Sequence, residues 1–177
     1  MSAPSSTPNV MRDIVIDKIV INIGVGEAGE KLAKAEKVLN LLTNQKPTQT
    51  KSKTTNKDLG IRNGMTIGCK VTLRNEAAPE FLKRAFWVKE NKVYAYSFDP
   101  EGNFTFGISD YTDFKGMRYD PDIGIFGMDI SVVLKRRGGK RVQLRSQSTG
   151  HIPKGHRITR SEAIEFIRKA FEVEVVS

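Results

Sequence analysis

The chain has 177 residues and a net charge of +9, long enough for one domain with its own core. A pI near 9.7 points to a polyanionic partner, nucleic acid or an acidic membrane face. Its one cysteine, Cys69, excludes a disulfide framework and a multi-cysteine zinc site and suits a reducing, cytosolic compartment, while the absence of any apolar run near ~18 residues excludes a membrane span.

Residues 1–11 are polar and rich in proline and serine, which predicts a mobile tail before a single domain over 12–177. They hold neither a basic nor an apolar signal region, so a soluble, intracellular protein is expected. The β-branched run Ile14–Gly24 reads as a strand with Ile19, Ile21 and Ile23 on one face and Lys18, Val20 and Asn22 on the other. Leu32, Ala35, Leu39 and Leu42 recur at helical spacing, predicting a helix over 29–43. Pro47 stops it, and Thr48–Lys51 reads as a short extended piece. Residues 51–65 show no period and carry two glycines, which predicts a long, exposed, basic loop.

Residues 66–74 alternate, with Ile67, Cys69, Val71 and Leu73 opposite Lys70, Thr72 and Arg74. A helix follows, capped by Asn75, with Pro79 early and Phe81, Leu82, Ala85 and Val88 on its buried stripe. Trp87, at its end, and Phe104 and Phe106 are assigned to packing. Strands are predicted over 93–98 and 103–109 about the turn at 99–102, and a buried strand over 123–134. Gly138 and Gly139 suggest a hairpin turn, and 143–158 a loop. The last helix opens on a capping box, Thr159 with Glu162, and buries Ala163, Ile164, Ile167 and Phe171.

Strands that do not alternate regularly with helices argue for an α+β fold: a mostly antiparallel sheet with helices packed on one face, and long basic loops. The other face would carry Asn22, Lys70, Thr72 and Arg74. That set suits contacts to phosphates and 2′-hydroxyls of RNA, and equally a solvated face. Charge placement favours RNA. Residues 130–161 contain no acid and hold nine of the Lys and Arg residues, and a second acid-free stretch spans 37–57 with Lys46, Lys51 and Lys53 inside it.

Two catalytic patterns need weighing. Gly24, Gly26 and Gly29 match GxGxxG, but the position about 20 residues on, where a dinucleotide site wants an acid, holds Asn44-Gln45-Lys46-Pro47. As a phosphate loop the stretch has Glu30 at the lysine position. The glycines also serve a tight turn. His151 and His156 lie five apart in the basic loop without a carboxylate nearby in sequence. A ribonuclease can use two histidines and a lysine, and a loop histidine can equally contact a phosphate.

The ordered blocks INIGVGEA, QKPTQTKSK, IRNGMTIGCKVTLR, GNFTFGISDYTDF and GIFGMDISVV resemble the family of the large-subunit ribosomal protein that binds 5S rRNA, the fifth in the bacterial naming. The RRGGKR and GHRIT segments are similar to its archaeal and eukaryotic branch. The resemblance implies no enzymatic activity, no cofactor and no metal. It implies a place in the cytoplasm, within the central protuberance of the large subunit, as a monomer that touches no membrane. By position it implies 5S rRNA contacts from Asn22, Gly24, Gln45, Lys46, Thr48, Thr50, Lys51, Lys70, Thr72 and Arg74. It further implies that loop 53–63 reaches P-site tRNA through Lys53, Lys57 and Arg62, mobile until tRNA orders it. A small-subunit head protein would be met at an intersubunit bridge. Arg136, Arg137, Lys140, Arg141, Arg145, Lys154, His156 and Arg157 form an additional basic segment expected against large-subunit rRNA.

Overall fold

The computed structural model describes residues 9–137, 147 and 150–176. The chain runs β1 (Ile14–Gly24), α1 (Glu30–Thr43), β2 (Thr48–Lys51), β3 (Thr66–Leu73), α2 (Ala77–Val88), β4 (Lys92–Tyr94), β5 (Phe104–Ile108), β6 (Met128–Arg136), α3 (Arg160–Phe171) and β7 (Glu174–Val176). Five strands form one antiparallel sheet in the order β2-β3-β1-β6-β5, and β4 pairs with β7 in a separate parallel ribbon. This is the α+β architecture expected. No helix among the described residues is long and apolar enough to cross a membrane.

The alternation in β1 and β3 fixes which side is buried. Ile19, Ile21, Ile23, Cys69, Val71 and Leu73 lie under the helices, and all are at most 3% exposed. Leu32, Ala35, Leu39 and Leu42 of α1, Phe81, Leu82 and Ala85 of α2, and Ala163 and Ile167 of α3 join them in one apolar cluster. Fully burying one such side chain stabilises the fold by about 1.5–3 kcal/mol. The α3 capping box forms as predicted: Glu162 N–H donates to Thr159 Oγ1, and Thr159 N–H donates to the Glu162 carboxylate.

Several expectations are corrected. Asn75 does not cap α2: it sits at φ 53°, a left-handed turn residue, and its carbonyl accepts from Ala78 N–H. Asn tolerates that conformation, whereas a capping residue needs an extended backbone. The strand over 93–98 stops at Tyr94, where Ala95–Ser97 winds into a 3₁₀ turn. Its partner β7 was not anticipated. The strand over 123–134 begins at Met128, because 120–124 close a turn in which Ile123 and Gly124 N–H both bond the Asp120 carbonyl. Trp87 is 59% exposed rather than packed, whereas Phe104 is buried and Phe106 packs against the core. At the start of the chain, Val10–Arg12 form a 3₁₀ turn capped by the Asn9 side chain. Residues 1–8 of the expected tail and the Gly138-Gly139 hairpin lie outside the described residues.

Candidate nucleic-acid interface

Residues directly opposite in an antiparallel pair point to the same side of the sheet, so the register lists the face turned away from the helices. One row reads Thr48–Lys70–Asn22–Asp129–Gly107 across all five strands. The next reads Thr72–Val20–Ser131–Thr105, with a hydrogen bond of 3.2 Å from Thr105 Oγ1 to Ser131 Oγ. On the other side of the first row, Thr50, Gly68 and Gly24 align. Gly24 is exposed there with open space where a side chain would stand, so a ligand backbone can approach it closely, whereas Gly68 is buried, with Thr50 Oγ1 3.0 Å from where its Cβ would be. A register shift after Thr50 sets Lys51 opposite Thr66, on this same face.

The structure thus brings Asn22, Gly24, Thr48, Thr50, Lys51, Lys70 and Thr72 together, with Lys70 and Thr72 exposed. Gln45 and Lys46 are exposed just ahead of β2. Arg74, past the end of β3, points its guanidinium at Asp17, with Nη1 3.8 Å from Oδ1. Sequence reasoning missed the contribution of β6. Asp129 and Ser131 sit on the open face because Met128–Arg136 alternates, a signal hidden when the strand is read as wholly buried. Asp129 makes the β6–β5 half less cationic, so the β2-β3-β1 half is the part suited to a polyanion.

The loop between β2 and β3 is exposed, as expected, but it has its own frame. Ser52 N–H bonds Met65 O, Gly64 N–H bonds Ser52 O, Asn56 and Ile61 exchange backbone bonds, and Asn63 N–H bonds Thr55 Oγ1. Lys53, Lys57 and Arg62 project from this irregular hairpin, and Leu59 at its tip is 68% exposed. These bonds leave less for a ligand to order than a structureless loop would.

The second basic segment is different. Arg136 is turned inward: its side chain is 10% exposed, it binds both Glu162 carboxylate oxygens at 2.8 and 2.9 Å, and it bonds Arg12 O. Arg157 pairs with Glu101 at 3.1 Å. Arg137 and Lys154 are exposed and His156 is half-buried. Lys140, Arg141 and Arg145 lie outside the described residues. Residues 151–158 lie at the end of β6, where His151 and His156 line an open cleft of about 260 Å³ with Asp17, Lys135 and Glu101. Both carboxylates arrive from distant parts of the chain. Gly102 permits this approach: at φ +79°, a Cβ there would stand 2.7 Å from Ile158 Cγ2.

The glycine motif does not form a phosphate cradle. Val25 and Gly26 N–H both donate to Ile67 O, at 2.9 and 2.8 Å, which occupies the amides that a nucleotide loop keeps free. Cys69 faces the core, where burial, reinforced by the charge of Glu36, pushes its thiol up to about 11. That keeps it protonated and inert.

Residues 66–166 match the family model for the C-terminal part of ribosomal protein L5, and residues 9–62 match the model for ribosomal protein L5. Among curated relatives, the large ribosomal subunit protein uL5 of Picrophilus torridus is 57% identical over 171 residues, 97% of each chain. That of Thermoplasma volcanium is 57% identical over 168 residues, 95% of this chain and 99% of the relative. That of Methanoregula boonei is 47% identical over 165 residues, 93% and 99%.

Proposed function

This chain belongs to the ribosomal protein L5 family, and from that premise we propose that it is a structural, non-catalytic protein of the large ribosomal subunit in the cytoplasm. In this reading it seats 5S rRNA on the open sheet face and helps attach it in the central protuberance. The observation that carries the proposal is the row Thr48–Lys70–Asn22 beside the exposed Gly24: cation, hydroxyl and amide on one face of the sheet turned away from the helices.

The mechanism is positional. Lys46, Lys51, Lys70 and Arg74 displace counterions from the RNA backbone, which gives affinity. Asn22, Gln45, Thr48, Thr50 and Thr72 fix register through sugar and phosphate contacts, and Gly24 admits the backbone. The hairpin carrying Lys53, Lys57 and Arg62 extends toward P-site tRNA. Arg137, Lys154 and His156 are left to meet large-subunit rRNA, with Arg136 engaged inside the fold. A protein of the small-subunit head is the partner at an intersubunit bridge. A nucleotide-dependent enzyme is disfavoured by the amides tied to Ile67.

The test is a mobility shift with 5S rRNA against an unrelated RNA of equal length, across a salt series. Preferential binding of 5S rRNA, with affinity falling by about 0.9 log units per log salt per phosphate contacted, is expected. Equal binding of both RNAs overturns the proposal.

A further inference from the structure

Asp17 is the extra residue where the β1–β6 register shifts between Ile16 and Lys18. It is 8% exposed at its side chain, a rare state for a carboxylate. It does not serve the core. Its Oδ1 accepts from Lys135 Nζ at 2.8 Å and lies 3.8 Å from Arg74 Nη1. Those cations come from the strands on either side of β1. Lys135 stands opposite Val15, and Arg74 follows Leu73 of β3. Leu73 and Leu134 face the core, so the next residues, Arg74 and Lys135, emerge on the open face. Their side chains are 49% and 37% exposed.

Both cations are only part-buried, so each keeps N–H donors beyond the one nearest Asp17, and one tetrahedral anion can accept from both. We infer that Arg74 and Lys135, held by Asp17, form a subsite for a single backbone phosphate of the RNA on the open face; this rests on the function proposed above. Without the carboxylate the two cations repel and disperse over separate rotamers, and binding must then order both. Asp17 is a positioning residue, acting through its partners. Its effect has a diagnostic sign, because removing an acid beside a polyanion site should by simple Coulomb attraction tighten binding.

The test uses the full chain with Asp17→Asn, Arg74→Gln, Lys135→Gln and the double cation variant. Affinity is measured for 5S rRNA and for an unrelated RNA of equal length across a salt series, with thermal melts as the folding control. Asp17→Asn should weaken 5S binding about fivefold while leaving unrelated RNA unchanged or tighter, since organisation rather than charge is lost. Each single cation variant should lower the salt slope by about 0.9, and the double by the same amount, because both grip one phosphate. Unchanged or tighter 5S binding by Asp17→Asn overturns the inference, as does a double variant whose slope falls by twice the single value. If Asp17→Asn fails to fold, the cation cycle alone decides. Failure of the wild-type chain to prefer 5S rRNA overturns instead the functional proposal on which the subsite rests.

Discussion

The open face with its hairpin and the segment that includes 135–157 are both basic in sequence, yet they use their charge differently. Among the described residues, Lys53, Lys57, Arg62 and Lys70 take part in no ion pair. Arg136 and Arg157 are each matched to a carboxylate, Glu162 and Glu101, while Lys135 shares Asp17 with Arg74 of the open face. Those acids come from β1, from α3 and from the turn before β5. A stretch without acids along the chain is therefore not without acids in space, and counting charge along a sequence overstates what a partner can reach.

Inverting charge on the first region should give the largest effect. Lys70→Glu with Thr72→Glu places two carboxylates on exposed positions, and 5S rRNA affinity should fall roughly 100-fold, about 2.7 kcal/mol, with an unchanged melt. A small loss in the shift assay breaks the contrast between the regions. Arg136→Ala probes the second region. It removes the bidentate partner of Glu162 and the donor to Arg12 O, so urea unfolding should show a loss of about 2 kcal/mol. The RNA salt slope should stay as it was; a slope reduced by a full phosphate contact would return Arg136 to the interface.

The same pair sharpens the comparison through pH. The backbone N–H of Thr159, and then Arg136, hold the Glu162 carboxyl below its usual range against partial desolvation. A carboxyl depressed in the folded state contributes stability that is present at neutral pH and lost as pH falls through its folded value. Stability of the wild type should therefore decline with acid below the ordinary glutamate range more steeply than that of Glu162→Gln, measured by denaturation at stepped pH. The smallest change is expected from Lys53, Lys57 and Arg62 replaced by Gln. Affinity for 5S rRNA should stay within about twofold, because the hairpin stands beyond the sheet, while retention of P-site tRNA weakens. Equal loss of both would merge sites drawn here as separate.

Much of this was legible in the residues, and the physical reason is range. The β1 and β3 faces, the stripe of α1 and the Thr159–Glu162 box follow from neighbours within a few positions, where periodicity speaks directly. The β4–β7 ribbon depends on residues some eighty positions apart, and three-residue strands carry too little pattern to announce it. At the site, the separate faces bearing Asn22 and Lys70 were readable, but not the row that joins them to Thr48 and Asp129, because register is a tertiary fact. The partners of Arg136 and Arg157 were hidden for the same reason. In 123–127 the apolar residues suggested strand, and the Asp120 turn prevailed.

The strand order has a kinetic consequence. β2, β3 and β1 come from the first 73 residues, whereas β1 must wait for β6, more than a hundred positions later, to cover its other edge. Closing so long a loop is entropically costly before any contact rewards it, which slows folding. Half of the platform can therefore assemble early while β1 keeps a bare edge, and a polyanion gripping that half would act as a template on which the remaining strands dock.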